Sequence, residues 1–173
     1  MSETAQALEA GPGGPEAAGG TRQYLTFLLA GEEYGVDILR VKEIRGWERT
    51  TPIPGTPGHV KGVINLRGTI VPIIDLRERL GMPTVEYGPT TVVIVLCVGG
   101  ADGRERVMGV VVDAVSEVYD LPEEAMRPPP EFGADVRVDF VRALATVGEK
   151  MVIVLDIDRM LGMEALGAGA GTG

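Results

Sequence analysis

Two aspartates, Asp75 and Asp156, occupy equivalent places in the chain and could form the carboxylate pair of an aspartic hydrolase. Each directly follows an apolar run and opens a short amphipathic segment that ends in Leu-Gly. An aspartate in this setting commonly caps a helix, because its side chain accepts a hydrogen bond from a first-turn N–H. Neither is followed by the Ser or Thr and the Gly that accompany catalytic aspartates of that class. We therefore predict two helix caps and no enzyme.

Residues for metal, nucleophile or cofactor chemistry are few. His59 is the only histidine and Cys97 the only cysteine, so one chain supplies neither a multi-histidine metal site nor an internal disulfide. The sequence has no P-loop, no dinucleotide-binding glycine motif and no recognisable nucleophile elbow. We predict a loop or surface position for His59, a small core position for Cys97, and neither a metal nor a cofactor.

An internal repeat is the main guide to the fold. Aligning Gly35 with Gly109 matches apolar positions in both copies, and the apolar spacing changes from two residues to three at the same point. Aligning His59 with Phe140 then matches residues 59–81 with residues 140–162 without a gap. The shared change in spacing indicates a bulge or a strand break. The repeat predicts two similar modules related by approximate two-fold symmetry.

The elements between the chain ends are short Val- and Ile-rich runs separated by Gly and Pro, a pattern typical of small barrels. The predicted strands cover residues 24–29, 34–44, 62–66, 70–74, 91–98, 106–112, 115–119, 141–147 and 151–155. Brief helices are predicted near residues 75–80, 121–126 and 156–161. We predict a mainly β fold of two interlocked β-barrels over residues 21–165. Residues 1–20 and 166–173 are predicted to be disordered tails, because their composition offers little apolar area to bury.

Arg67 lies in a turn where the two copies differ. The first copy reads Asn-Leu-Arg-Gly over residues 65–68, whereas the second reads Thr-Val-Gly-Glu over residues 146–149. A turn at this place therefore does not need an arginine, whose planar fork of donors suits the carboxylates of a protein partner. The alternative is a solvated side chain, since exposed charges usually contribute little. Glu43 has a counterpart in Glu117, so it could be structural or merely solvated.

The charge balance excludes several partners. The net charge is −9, from 25 acidic and 16 basic residues, and aromatic residues make up 5% of the chain. A nucleic-acid binder needs a basic footprint or stacking rings, and docking on anionic lipid also needs basic residues. The chain begins without a secretory signal, and its longest apolar run is far too short for direct membrane insertion. We predict a cytoplasmic protein that binds no nucleic acid.

Two segments resemble the CheW family of chemotaxis coupling proteins: residues 33–46 (EYGVDILRVKEIRG) and 62–77 (GVINLRGTIVPIIDLR). The resemblance continues through residues 92–95, 109–113 (GVVVD) and 127–132 (RPPPEF), and it covers roughly residues 22–164. It implies two SH3-like, five-stranded β-barrels with an apolar seam between them. It also implies a non-enzymatic adaptor recruited to membrane-associated receptor arrays. The loop at residues 99–103 is longer than we expect for the family.

The partners that the resemblance implies are the cytoplasmic tip of methyl-accepting chemotaxis receptors and the regulatory domain of the histidine kinase CheA. Further copies of the coupling protein in the array rings are implied as well. Carried over by motif, Val41, Glu43, Gly62 and Arg67 are expected on the receptor-facing side, and Phe132 at a kinase contact. A small-ligand-binding β module and the hydrolase considered above are the alternative functions.

Overall fold

The structure is a computed structural model that describes residues 20–100, 103–130 and 140–162. Short strands dominate it, as the runs of Val and Ile predict. The strands are β1 (Thr21–Leu29), β2 (Glu32–Asp37), β3 (Val41–Gly46), β4 (Val60–Leu66), β5 (Thr69–Asp75), β6 (Val92–Gly99), β7 (Glu105–Val112), β8 (Ala114–Pro122), β9 (Met126–Arg127), β10 (Val141–Val147) and β11 (Lys150–Leu155). The helices are α1 (Leu76–Arg79) and α2 (Ile157–Leu161), with 3-10 turns at Ile38–Arg40 and Glu123–Ala125.

Two sheets form the fold, and each combines strands from both repeats. One has the order β8-β1-β2-β11-β10-β9 and the other the order β3-β6-β7-β5-β4. Because β1 to β5 belong to the first repeat, the repeats exchange strands and the two modules are interlocked. Within the described residues no ladder joins the two edge strands of either sheet, so neither barrel closes completely. The prediction of a mainly β, SH3-like, two-module fold is confirmed.

The register of the strands confirms the repeat at the level of single residues. In one sheet β2 runs parallel to β11 with Gly35 opposite Val154, and in the other β7 runs parallel to β5 with Gly109 opposite Ile73. The repeat alignment equates these two pairings. The equivalence extends to main-chain contacts, since the carbonyls of His59 and Phe140 each accept 2.8 Å hydrogen bonds from the N–H groups of Asp75 and Asp156 respectively.

The predicted spacing change marks a strand break in both copies. In the first, the 3-10 turn Ile38–Arg40 separates β2 from β3, and in the second a bend at Asp113 separates β7 from β8. Asp37 stabilises the first break, because its Oδ1 accepts a 2.9 Å hydrogen bond from the Leu39 N–H. The prediction of one continuous strand over residues 34–44 is therefore wrong.

The core consists of a seam between the sheets and a smaller apolar cluster inside each barrel. The seam contains fully buried large side chains from both repeats, including Phe27, Leu29, Ile74, Ile94, Leu96, Met160 and Leu161. Full burial of such a side chain contributes roughly 1.5–3 kcal/mol relative to leaving it exposed, so the seam holds the modules together. The barrel interiors are small, with Ile64, Val71, Ile73 and Val95 in one and Ala145, Val152 and Val154 in the other.

The short helices lie where the sequence predicts them. Asp75 caps α1 through a 3.3 Å hydrogen bond from the Glu78 N–H, and Asp156 caps α2 through a 3.1 Å bond from the Arg159 N–H. The third predicted helix is a single 3-10 turn that begins after Pro122 with no side-chain cap. None of the helices in the described part of the chain is long and apolar enough to span a membrane. The predicted tails fall almost entirely outside the described residues.

Candidate functional site

Arg67 occupies the tip of the hairpin formed by β4 and β5. Leu66 pairs with Thr69, so the connecting turn has two residues, Arg67 and Gly68. Both have positive φ values, 52° and 89°, which is the type I′ pattern of tight hairpins. The Asn65 Oδ1 accepts a 2.8 Å hydrogen bond from the Gly68 N–H and closes the turn from the side. The hairpin thus presents Arg67 at its end with a defined backbone.

The equivalent turn between β10 and β11 has the same length and a different geometry. Gly148 has a φ of 62°, whereas Glu149 lies outside the positive-φ region, as in a type II′ turn. The first turn position is therefore left-handed in both copies, a conformation that favours glycine. Arg67 adopts it despite its Cβ, and such strain is typical of positions that serve function.

Glu43 and two arginines form a charged cluster next to this turn. Glu43 Oε1 accepts a 2.6 Å hydrogen bond from Arg67 Nη2, and its Oε2 accepts a 3.0 Å bond from Arg45 Nη1. Arg45 also donates to Glu48, at 3.1 Å. The hydrogen bonds from Arg67 and then Arg45 lower the pKa of Glu43, which remains an anion at neutral pH. Arg67 uses only one nitrogen here and is 71% exposed, so most of its donors face solvent.

The structure therefore brings Glu43 and Arg67 into contact, which the sequence analysis did not predict. It also adds Arg45, which that analysis did not single out. The two-residue period of a strand is the signal that could have found Arg45, because positions 43 and 45 share one face of β3.

Val41 and Gly62 lie in less exposed surroundings. Val41 begins β3 and packs against the seam between the sheets. Gly62 is buried at an irregularity of β4, with a φ of 135°. A Cβ there would lie 2.3 Å from the carbonyl oxygen of Thr51, whose backbone pairs with Val63. Glycine is thus required for the approach of the segment around Thr51, and any effect of Gly62 on a partner would act through that segment.

Phe132, the residue expected at a kinase contact, lies outside the described residues, together with the rest of residues 131–139. Residues 101 and 102 of the predicted long loop lie outside them as well.

The two aspartates considered for hydrolysis are occupied by local contacts. Besides capping α1, Asp75 accepts a hydrogen bond from the hydroxyl of Tyr87. Burial, and then that contact, raises the pKa of Tyr87. Asp156 caps α2 and lies near Arg159, its side-chain neighbour on the same helix. Each carboxylate thus serves as a cap, as predicted.

His59 lies in the turn before β4, a loop position as predicted, whereas Cys97 is not a core residue. His59 is half-buried, and its Nε2 is buried without a hydrogen-bond partner. Cys97 is half-buried on β6, where its Sγ donates to Glu105 Oε1 at 3.2 Å, and burial raises the pKa of its thiol. In the part of the chain that the structure covers, no three His, Cys, Asp or Glu side chains group as metal ligands.

Comparison with known proteins connects this architecture to one family. A family model described as the CheW-like domain matches residues 23–165. The chain is 47% identical over 145 residues to the chemotaxis protein CheW of Klebsiella aerogenes, with 84% of each chain covered. It is 36% identical over 141 residues to the probable chemotaxis protein CheW of Rhizobium etli, covering 82% of this chain and 88% of that one.

A solved structure has the same fold. The crystal structure of the scaffolding protein TtCheW from Thermoanaerobacter tengcongensis superposes with a TM-score of 0.71 at 34% sequence identity. The superposition covers 80% of this chain and 91% of that one.

Proposed function

This chain belongs to the CheW family of chemotaxis proteins, and on that premise we propose that it is a non-enzymatic adaptor. It joins the cytoplasmic tip of methyl-accepting chemoreceptors to the histidine kinase CheA. Its place is the cytoplasm, at receptor arrays beneath the membrane, where further copies of the chain take part in the rings.

The observation that carries the proposal is the exposed guanidinium of Arg67 on a left-handed turn residue. Glycine would relieve the turn, so the arginine is better explained by a contact outside the chain than by folding. Glu43 orients the guanidinium, and the donors left over suit carboxylates or carbonyl oxygens of a partner. A helical receptor tip offers such acceptors on its surface. We assign the receptor contact to Val41, Glu43 and Arg67, and Gly62 supports it by allowing the approach of the segment around Thr51.

We assign the contact with the regulatory domain of CheA to the segment around Phe132. Two partners held by one rigid scaffold meet at a high effective concentration and in a fixed orientation. The interlocked seam supplies that rigidity, because the two modules share strands and a common core. The adaptor thus raises the activity of the kinase by holding it beside the receptor, and it catalyses no reaction of its own.

The test is a pull-down of the purified full chain against the receptor cytoplasmic tip and CheA, separately and together. We expect binding to each partner alone and to both at once. Binding to neither partner would end the proposal. Hydrolase activity that disappears in an Asp75→Asn variant would favour the enzyme alternative instead.

A further inference from the structure

A cavity of about 280 Å³ opens at one end of the six-stranded sheet, between its edge strands β8 and β9. The buried side chains of Tyr24, Leu121 and Ala143 line it from inside, and the exposed side chains of Arg127 and Arg142 line its mouth. A volume of this size is at the lower limit for small-molecule sites, so the cavity suits a small ligand.

The other barrel has a larger side chain at the equivalent place. Leu121 pairs with Arg22, and its counterpart in the first repeat, Trp47, donates a 3.2 Å main-chain hydrogen bond to the carbonyl of Thr91. The Trp47 ring packs on the apolar cluster of the five-stranded sheet and against Tyr87, with 4.4 Å between the ring centroids. Leucine fills less of this space than tryptophan does, so room remains beside it.

A second replacement keeps the edge strand β9 at a distance. Ala143 occupies the repeat position of Gly62, and Arg127 in β9 occupies that of Thr51, since each of the latter pairs with the residue that follows the small one. In the five-stranded sheet the Thr51 carbonyl oxygen would lie only 2.3 Å from a Cβ on Gly62. The methyl group of Ala143 excludes so close an approach, so the room beside Leu121 stays open.

Cations are in excess around the cavity. Of the described residues that line it, three are arginines and one, Glu123, is acidic, in a chain whose net charge is −9. Arg22 is engaged by Asp37 at 3.1 Å, whereas neither Arg127 nor Arg142 forms an ion pair with a described residue. Two guanidinium groups are therefore available to an anion.

Tyr24 adds a buried donor that lacks a partner. The residue is 2% exposed and lines the cavity, and its hydroxyl makes no hydrogen bond to a described residue. Burial raises the pKa of Tyr24 and Arg142 opposes this effect, so the hydroxyl keeps its proton at neutral pH. A buried hydroxyl without a partner is costly, and a ligand oxygen in the cavity would satisfy it.

We propose that this cavity binds a small phosphate-bearing anion, which accepts hydrogen bonds from the Tyr24 hydroxyl and from the guanidinium groups of Arg127 and Arg142. These donors belong to β1, β9 and β10 and approach the cavity from different sides. A phosphate group carries its acceptor oxygens in a tetrahedral arrangement, which suits such donors better than the coplanar oxygens of a carboxylate. The site goes beyond the proposed adaptor function and needs neither of its partners.

The test titrates the purified full chain with inorganic phosphate and follows the amide signals of the cavity residues by NMR. Sodium chloride keeps the ionic strength constant, so that general screening does not change during the titration. A parallel titration with acetate measures the binding of a carboxylate under the same conditions.

Two variants each remove one donor. Tyr24→Phe removes only the hydroxyl, and Arg127→Gln removes one cation. Arg49→Gln is the matched control, because Arg49 is exposed, forms no ion pair with a described residue and lies outside the cavity lining.

Phosphate should bind saturably with a Kd of about 1 mM or lower, and acetate should bind at least about tenfold more weakly. Arg127→Gln should raise the Kd for phosphate about tenfold, and Tyr24→Phe should raise it at least about threefold. Without phosphate, Tyr24→Phe should keep the wild-type melting temperature, since it leaves no group unsatisfied. Arg49→Gln should keep the wild-type Kd.

Failure of phosphate to bind the wild-type chain saturably would overturn the proposal, as would acetate binding of equal strength or an equal loss in Arg49→Gln. If Tyr24→Phe melts early, Arg127→Gln alone decides the outcome. Because neither the receptor nor the kinase is present in this experiment, its outcome is independent of the proposed function.

Discussion

Arg77 and Asp113 join the two repeats through a pair of hydrogen bonds, 2.9 Å from Nε and 2.7 Å from Nη2. A similar link with the charges exchanged joins the second repeat to the first. Asp158 occupies the repeat position of Arg77, and it accepts hydrogen bonds of 2.9 and 2.6 Å from Arg40. Arg77 and Asp158 are the second residues of α1 and α2. One charged link thus joins α1 to the second repeat, and the other joins α2 to the first repeat.

The Asp113 link is expected to stabilise the fold. Its carboxylate also accepts a 2.9 Å hydrogen bond from the Ala30 N–H, and Arg77 lowers its pKa. Asp113→Asn should therefore reduce the free energy of unfolding by about 1–3 kcal/mol, measured by urea denaturation. Arg22→Ala, which breaks a pair whose arginine is 58% exposed, is the control and should cost under about 1 kcal/mol. Equal losses in both variants would argue against a special role for the link.

His59 is expected to make the stability of the chain depend on pH. Burial and then the nearby Arg79 lower its pKa, so the folded chain binds a proton less readily than the unfolded chain. The contribution of His59 to stability is complete above its pKa in the unfolded chain, about 6.5, and it is lost as the pH falls through its pKa in the folded chain. His59→Phe introduces the residue type found at the equivalent position, Phe140, and removes the unpaired Nε2.

The measurement for His59 is the free energy of unfolding at pH 8 and at pH 5, for the wild type and for His59→Phe. The difference between the two pH values should be smaller in the variant. An unchanged difference would show that other groups set this part of the pH profile.

Gly62→Ala is expected to damage the fold at the approach of Thr51. The added Cβ would lie 2.3 Å from the Thr51 carbonyl oxygen, in a conformation with a φ of 135°. A backbone clash of this kind should lower the free energy of unfolding by about 2 kcal/mol or more, measured by thermal denaturation. Gly46→Ala is the matched control, because no atom lies within 4 Å of its added Cβ. Full stability of Gly62→Ala would show that the site tolerates a side chain.

Arg67→Gly is expected to separate stability from partner binding. Glycine relieves the left-handed turn, and the lost ion pair with Glu43 is exposed, so the free energy of unfolding should rise by about 1 kcal/mol. Affinity for the receptor tip should fall roughly 10- to 100-fold, as expected for a desolvated charge-assisted contact. Arg67→Lys should restore only part of it, since lysine lacks the planar fork. A less stable variant with unchanged receptor affinity would mark Arg67 as structural.

Local sequence patterns predicted the features that depend on residues close together in the chain. The caps at Asp75 and Asp156 follow from hydrogen bonds within one helical turn, and the repeat follows from apolar spacing. The change in spacing indicated a bulge or a break at Ile38–Arg40, but the strand-like composition around it favoured one strand over residues 34–44 and hid a turn stabilised by a single side chain, Asp37.

Contacts between distant segments could not be predicted from one sequence. Glu33 and Lys150 are far apart in the chain and meet only because the repeats exchange strands. Asp113 and Arg77 meet for the same reason. The difference between the copies pointed to Arg67, but its strained φ and its contact with Glu43 depend on how the β4–β5 hairpin packs beside β3.

The central claim is that one chain holds a receptor tip and the kinase at the same time. The most direct measurement titrates the receptor tip into the free chain and into the chain saturated with the regulatory domain of CheA. We predict Kd values that agree within about threefold, and one complex containing all three components in sedimentation. Displacement of one partner by the other would contradict the claim.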